Sequence, residues 1–177
     1  YIGDWSSDVC SSDLWNRNRV LQEFIPVPDD LHITSSPSTK DEELQAKYEA
    51  NKAKHGYANW YDFCVNEWGT KWDIGMGDRG MLLTADSARK PICVGFDSAW
   101  SPPIEAYEKL EKLGFSIRAY YFEGGMMFCG KWEDGQSEHY EIEENNSAWV
   151  LENIPSDIDD YMGISDCMQL DEECENE

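Results

Sequence analysis

Residues 115–143, FSIRAYYFEGGMMFCGKWEDGQSEHYEIE, decide how this chain is read. From Phe115 to Phe122 side chains alternate well enough for a strand, since successive residues of a strand face opposite sides. Gly124 and Gly125 supply a turn into a second extended run, Met126 to Trp132. From Glu138 to Glu143, His139, Glu141 and Glu143 alternate with Tyr140 and Ile142, the pattern of an edge strand. Three consecutive strands joined by short turns make an antiparallel sheet.

Working outward, Ile104, Tyr107, Leu110 and Leu113 recur at three-residue steps, which predicts a helix ended by Gly114. Ser101 is its expected N-cap, with Pro102 at the first helical position. Met81–Ala85 and Ile92–Phe96 read as two strands joined by a turn. Lys40–Lys54 and a second segment capped by Asn59 and ended by Gly69 read as helices. Val20, Leu21, Phe24 and Ile25 suggest a short strand before Pro26 and Pro28. The sum is an α+β fold, with helices on one face of an antiparallel sheet.

The chain has 177 residues, 41% apolar and 13% aromatic, enough for one core plus tails. Its apolar runs are too short for a membrane span, and no secretory leader is read at its start. Fourteen basic residues face 36 acidic ones, a net charge of −22. Direct nucleic-acid binding is not expected, because phosphate contacts need a basic face. The imbalance is local: no basic residue follows Lys131, while residues 132–177 hold 16 carboxylates. A folded domain at 15–144 followed by an acidic extension at 145–177 is therefore expected, with the run 171–177 solvated and residues 165–177 separable from the fold. If that extension were helical, its charges would approach duplex DNA in density, but Pro155 and Gly163 interrupt a helix. At most a partial nucleic-acid mimic is expected.

Cysteines stand at 10, 64, 93, 129, 167 and 174, without a Cys-x-x-Cys pair, and only His32, His55 and His139 are present. Neither a zinc site nor a disulfide framework is expected. Cys64, Cys93 and Cys129 read as buried thiols of a reducing compartment, hence cytoplasmic. No metal or cofactor is expected. Gly75, Gly77 and Gly80 match part of a phosphate loop but precede a strand rather than a helix. His139 beside Glu138 or Glu141 could serve as a general base, although a surface histidine is the plainer reading. Asp157, Asp159 and Asp160 lack the spacing of a calcium loop. No nucleophile elbow or other catalytic set occurs, so the chain is read as a non-enzyme.

Residues 1–14 repeat Ser-Ser-Asp at 6–8 and 11–13 and resemble translated sequencing adapter in a metagenome-derived gene model. Three further blocks together resemble the YubB-type ferredoxin-like domain family of phages and plasmids. They are Phe24-Ile25-Pro26-Val27-Pro28-Asp29-Asp30-Leu31; the Trp-rich run from Asn59 to Asp73; and Asp97 to Ile104 followed by Tyr120 to Gly130. The resemblance covers about residues 20–131. It implies a split β-α-β core, a mobile-element habitat in a host cytoplasm, and no established enzymatic activity. The strand and helix that usually open the family are expected to be missing here.

The tryptophans are the most unusual feature. Trp60 and Trp68, eight apart on a helix, share roughly one face. Trp72 and Trp100 fall at loop edges, where binding sites concentrate. The bland alternative is an aromatic helix face packed on the sheet. The functional reading is an aromatic pocket for a flat ligand, formed by Trp60, Trp68, Trp72, Trp100, Ser101 and Tyr120, with Lys71, Arg79 and Arg118 supplying positive charge. On this reading the chain sequesters a host nucleotide-type immune signal in counter-defence. Two alternatives stay open. One is an acidic inhibitor of a basic host defence protein, and the other a hydrolase with an unrecognised site. Homo-oligomerisation is left open.

Overall fold

The computed structural model describes residues 19–35, 41–74 and 94–175, with the backbone of 2–3 and 82–83. The fold is α+β, as expected. The chain folds as two compact units, Tyr1–Ser116 and Ile117–Glu177.

The first unit holds the two-residue strand β1 (Ile2–Gly3) and helices α1 (Val20–Phe24), α2 (Glu42–His55) and α3 (Trp60–Glu67). A two-residue antiparallel pair, β2 (Leu82–Leu83) with β3 (Val94–Gly95), and helix α4 (Ile104–Lys112) follow. The expected hairpin is present there, although its turn lies outside the described residues. Asp41 caps α2 by accepting from the Leu44 N–H, and Gly56 ends it. Asn59 caps α3 through the N–H groups of Tyr61 and Asp62. The core gathers Val20, Leu21, Ile25, Val27, Leu31, Phe63, Cys64, Trp68, Ile74 and Ala106.

Two local expectations change. The segment read as a strand around Val20 is helix α1, because the Asp73 carboxylate caps it by accepting from the N–H groups of Leu21 and Gln22. Helix α4 starts after Pro103 rather than after Ser101, since the Ser101 hydroxyl is turned to the Gly69 carbonyl oxygen. Ala106, Tyr107 and Leu110 bury the α4 stripe, while Leu113 stays exposed.

In the second unit β4 (Ser116–Glu123), β5 (Phe128–Glu133) and β6 (Gln136–Glu141) pair antiparallel in that order. The β5–β6 turn has two residues, Asp134 at φ 49° and Gly135 at φ 72°. Both angles suit the type I′ turn that matches strand twist. Close approach fixes Gly130: a Cβ there would run into the Glu138 carbonyl oxygen and the Tyr121 hydroxyl.

The acidic extension is helical, and its end, expected to be separable, is part of the fold: Met168 is buried, although Asp171 and Glu173 stay exposed. It forms α5 (Ser147–Asn153), α6 (Ser156–Met162) and α7 (Ile164–Glu175), interrupted near Pro155 and Gly163. Val150, Ile154, Ile158, Ile164 and Met168 join Cys129 and Ile142 in one core, against which Tyr120 and Phe122 of β4 pack. Ile164 and Met168, four apart on α7, share one side of that helix, while Val150 on α5, Ile154 just after it and Ile158 on α6 bury against the same core. Two carboxylates are built in. Asp159 accepts from the Ser165 N–H (2.8 Å) and hydroxyl (2.6 Å), and Glu172 accepts from the Ser147 N–H (2.7 Å) and hydroxyl (3.1 Å).

Candidate functional site

The first unit joins its α3–β2 and β3–α4 segments through hydroxyl groups. Thr70, 2% exposed, donates its hydroxyl to the Ala99 carbonyl oxygen and accepts the Ala99 N–H, both at 3.1 Å. Ser101 donates to the Gly69 carbonyl oxygen at 2.6 Å, and Ser98 donates to the Ser101 carbonyl oxygen at 2.7 Å. Asp73 and Ile74 then sink into the core. These bonds pin the backbone on both sides of two exposed tryptophans.

Trp72 lies between Thr70 and Asp73 and is 50% exposed. The Lys71 ammonium stands 4.5 Å from the centre of its ring, a cation–π arrangement. Trp100, flanked by Ala99 and Ser101, is 82% exposed and has φ 75°. A bulky side chain in the left-handed region is strained, typically by about 1–3 kcal/mol, and persists only where its surroundings over-determine it. The hydrogen bonds of Thr70, Ser98 and Ser101 supply that determination.

The remaining site expectations fall differently. Trp68 is 4% exposed, and its indole N–H donates to the Ile25 carbonyl oxygen at 2.9 Å. It is a core residue and offers no face to a ligand. Trp60 packs partly against the same core and meets Tyr61 edge-on at 5.9 Å. Ser101 holds the loop rather than capping a helix. In the second unit, Arg118 is ion-paired with Glu133, and Tyr120 stacks on Tyr161 at 4.4 Å. Arg79 and the glycines at 75, 77 and 80 lie outside the described residues. The structure thus holds Lys71, Trp72, Trp100 and Ser101 on the joined loops of one unit. Arg118 and Tyr120 lie on the other unit, Arg118 exposed in its pair with Glu133 and Tyr120 half-buried against Tyr161.

One network went unread in the sequence. The Glu67 carboxylate accepts from the Tyr57 hydroxyl and pairs with the Lys109 ammonium, which also donates to the Glu67 carbonyl oxygen at 2.6 Å. Burial raises the Glu67 carboxyl, but the hydrogen bonds from Lys109 and Tyr57 outweigh it and the net shift is downward. The Tyr57 hydroxyl is pushed up to about 12, first by its bond to Glu67 and then by burial. This network joins α3 to α4.

The buried thiols are poor nucleophiles. Burial, reinforced by the Asp73 charge, pushes Cys64 up to about 12, and burial pushes Cys129 up to about 11. The ring of His139 lies against Phe128 at 5.2 Å and Tyr121 at 6.3 Å. Among the described residues there is no group of three or more side chains able to hold a metal ion. No described helix is long and apolar enough to cross a membrane. Comparisons with protein-family models, curated proteins and solved structures find no match to this chain.

Proposed function

We propose that the chain is a binding protein that captures a flat, anionic ligand of the nucleotide class on the loops bearing Lys71, Trp72 and Trp100. The observation that carries this reading is Trp100. A tryptophan held 82% exposed in a left-handed conformation is kept at a cost to stability, and a stacking partner gives that cost a use.

Energetics fit a modest affinity. Stacking a base on an aromatic side chain contributes about 1–3 kcal/mol. Two stacks then give about 2–6 kcal/mol, below the ~8 kcal/mol of micromolar binding. Lys71 supplies a charge-assisted contact to phosphate, which raises the total. The net charge of the protein opposes an anion at long range, but beyond about 8 Å that repulsion is largely screened at physiological salt. The resemblance to the YubB-type family adds a setting: in a phage or plasmid product, such capture would remove a host immune nucleotide from circulation.

The test exposes the purified chain to a nucleotide pool, washes it, and identifies released small molecules by mass spectrometry. An intact nucleotide is the expected result. A chemically altered one makes the chain an enzyme, and recovery of none overturns the reading.

A further inference from the structure

Strand β6 ends the sheet of the second unit. Its register with β5 determines which backbone groups are spent. The turn at Asp134-Gly135 closes on the pair Glu133↔Gln136, and antiparallel pairs alternate between bonded and non-bonded. Gln136, Glu138 and Tyr140 therefore bond inward to β5. The same phase continues at Ile142, whose N–H donates to the Met127 carbonyl oxygen at 2.8 Å. Ser137, His139 and Glu141 turn their N–H and C=O groups away from β5, and all three residues are exposed.

That edge is acidic along its length. Asp134, Glu141, Glu143 and Glu144 on and beside this strand are exposed, while Glu138 is half-buried and engaged by Lys131 and the Tyr140 hydroxyl. The unit from Ile117 onward has 17 carboxylate side chains and two cations, Arg118 and Lys131. Both cations are already taken, Arg118 by Glu133 and Lys131 by Asp157 at 2.9 Å and Glu138 at 3.4 Å. An exposed edge is a template for another strand, and edge charges select which strand can add. A second copy of this chain would set like charges opposite one another, which destabilises the pair.

We propose that β6 is a docking edge for an extended basic segment of a partner protein, which adds as a strand to Ser137, His139 and Glu141. Main-chain hydrogen bonds hold the segment, and its lysines or arginines meet the carboxylates beside the edge. This surface lies on the second unit and does not depend on the tryptophan reading.

The probe is an eight-residue alternating lysine–valine peptide, titrated into the full chain, with a glutamate–valine peptide as control. The lysine peptide is expected to bind more than about tenfold tighter than the control and to weaken with salt. Hydrogen exchange should slow at the amides of Ser137, His139 and Glu141. Ser137→Pro removes an outward N–H while sparing the bonds to β5, and it should weaken lysine-peptide binding by about tenfold or more. Binding without protection at those three amides overturns the proposal, as does equal binding of both peptides or none of the lysine peptide. If Ser137→Pro unfolds, the exchange pattern of the unaltered chain decides.

Discussion

The Asp73 carboxylate accepts from the backbone N–H of Leu21 at 2.8 Å, across 52 residues of sequence. With its second oxygen on the Gln22 N–H at 2.9 Å, it caps α1 from outside the helix. Asp73→Ala leaves both donors without that partner, Leu21 in a buried setting. We predict a loss of about 1–3 kcal/mol in denaturant unfolding. An unchanged midpoint would show that α1 holds without its distant cap.

Asp73 and Glu67 should respond to pH in opposite senses. Burial raises Asp73 above its ordinary 3.8, and backbone hydrogen bonds from Gln22, Leu21 and Ile74 do not offset it. Its contribution is therefore most favourable below pH 3.8 and declines as pH rises through the raised folded value. Glu67 is lowered from 4.5, so its contribution is present above 4.5 and is lost as pH falls through the folded value. Relative to Asp73→Asn, the parent protein should lose stability as pH rises through that window. Relative to Glu67→Gln, it should lose stability as pH falls below 4.5. Melts across pH 3 to 7 check both signs.

Gly130 has no room for a side chain, because Tyr121 and the Glu138 carbonyl oxygen occupy the place of a Cβ. Gly130→Ala should destabilise the second unit by about 1–3 kcal/mol, an overpacking effect. Retained stability in thermal or denaturant melts would mean that the strands part easily at this point.

The C-terminal helices should be integral to the fold. Ile164 and Met168 are 0% and 5% exposed. Met168→Ala should cost about 2–5 kcal/mol, with roughly 2–4 °C of Tm per kcal/mol for a chain of this size. Deleting residues 165–177 should lower Tm further. A truncated chain that melts with the parent would return this segment to the status of a solvated tail.

How much of this was legible depended on where each interaction partner lay in the chain. The three strands β4, β5 and β6 read out because two-residue alternation is local, although β6 begins two residues earlier than expected, at Gln136. Helix α2 read out as the run 40–54 and α3 through its Asn59 cap for the same reason, while the Asp41 cap of α2 was found only in the structure. Helix α1 did not, since its cap is Asp73. In the acidic extension the number of carboxylates hid the spacing of Val150, Ile154 and Ile158, and of Ile164 and Met168. That signal was present, as was the Asp-Gly pair at 134–135. The sequence already set Trp72 and Trp100 at loop edges, where they are exposed, but it grouped Trp68 with them in a pocket, and the distant hydrogen bond to Ile25 that buries Trp68 was not legible. The left-handed angle of Trp100 was not legible either, because it is imposed by Thr70, 30 residues away, and by its neighbours.

Trp100 also gives the most direct test of the binding account. Trp100→Gly relieves the left-handed strain, so the variant should melt at or above the temperature of the parent protein. The decisive measurement is a calorimetric titration of the two proteins with adenosine and guanosine monophosphates. The account predicts that the parent binds and that the variant, still folded, binds weaker by about 1–3 kcal/mol, the contribution of one lost stack. Equal affinity, or no binding by the parent, would contradict it.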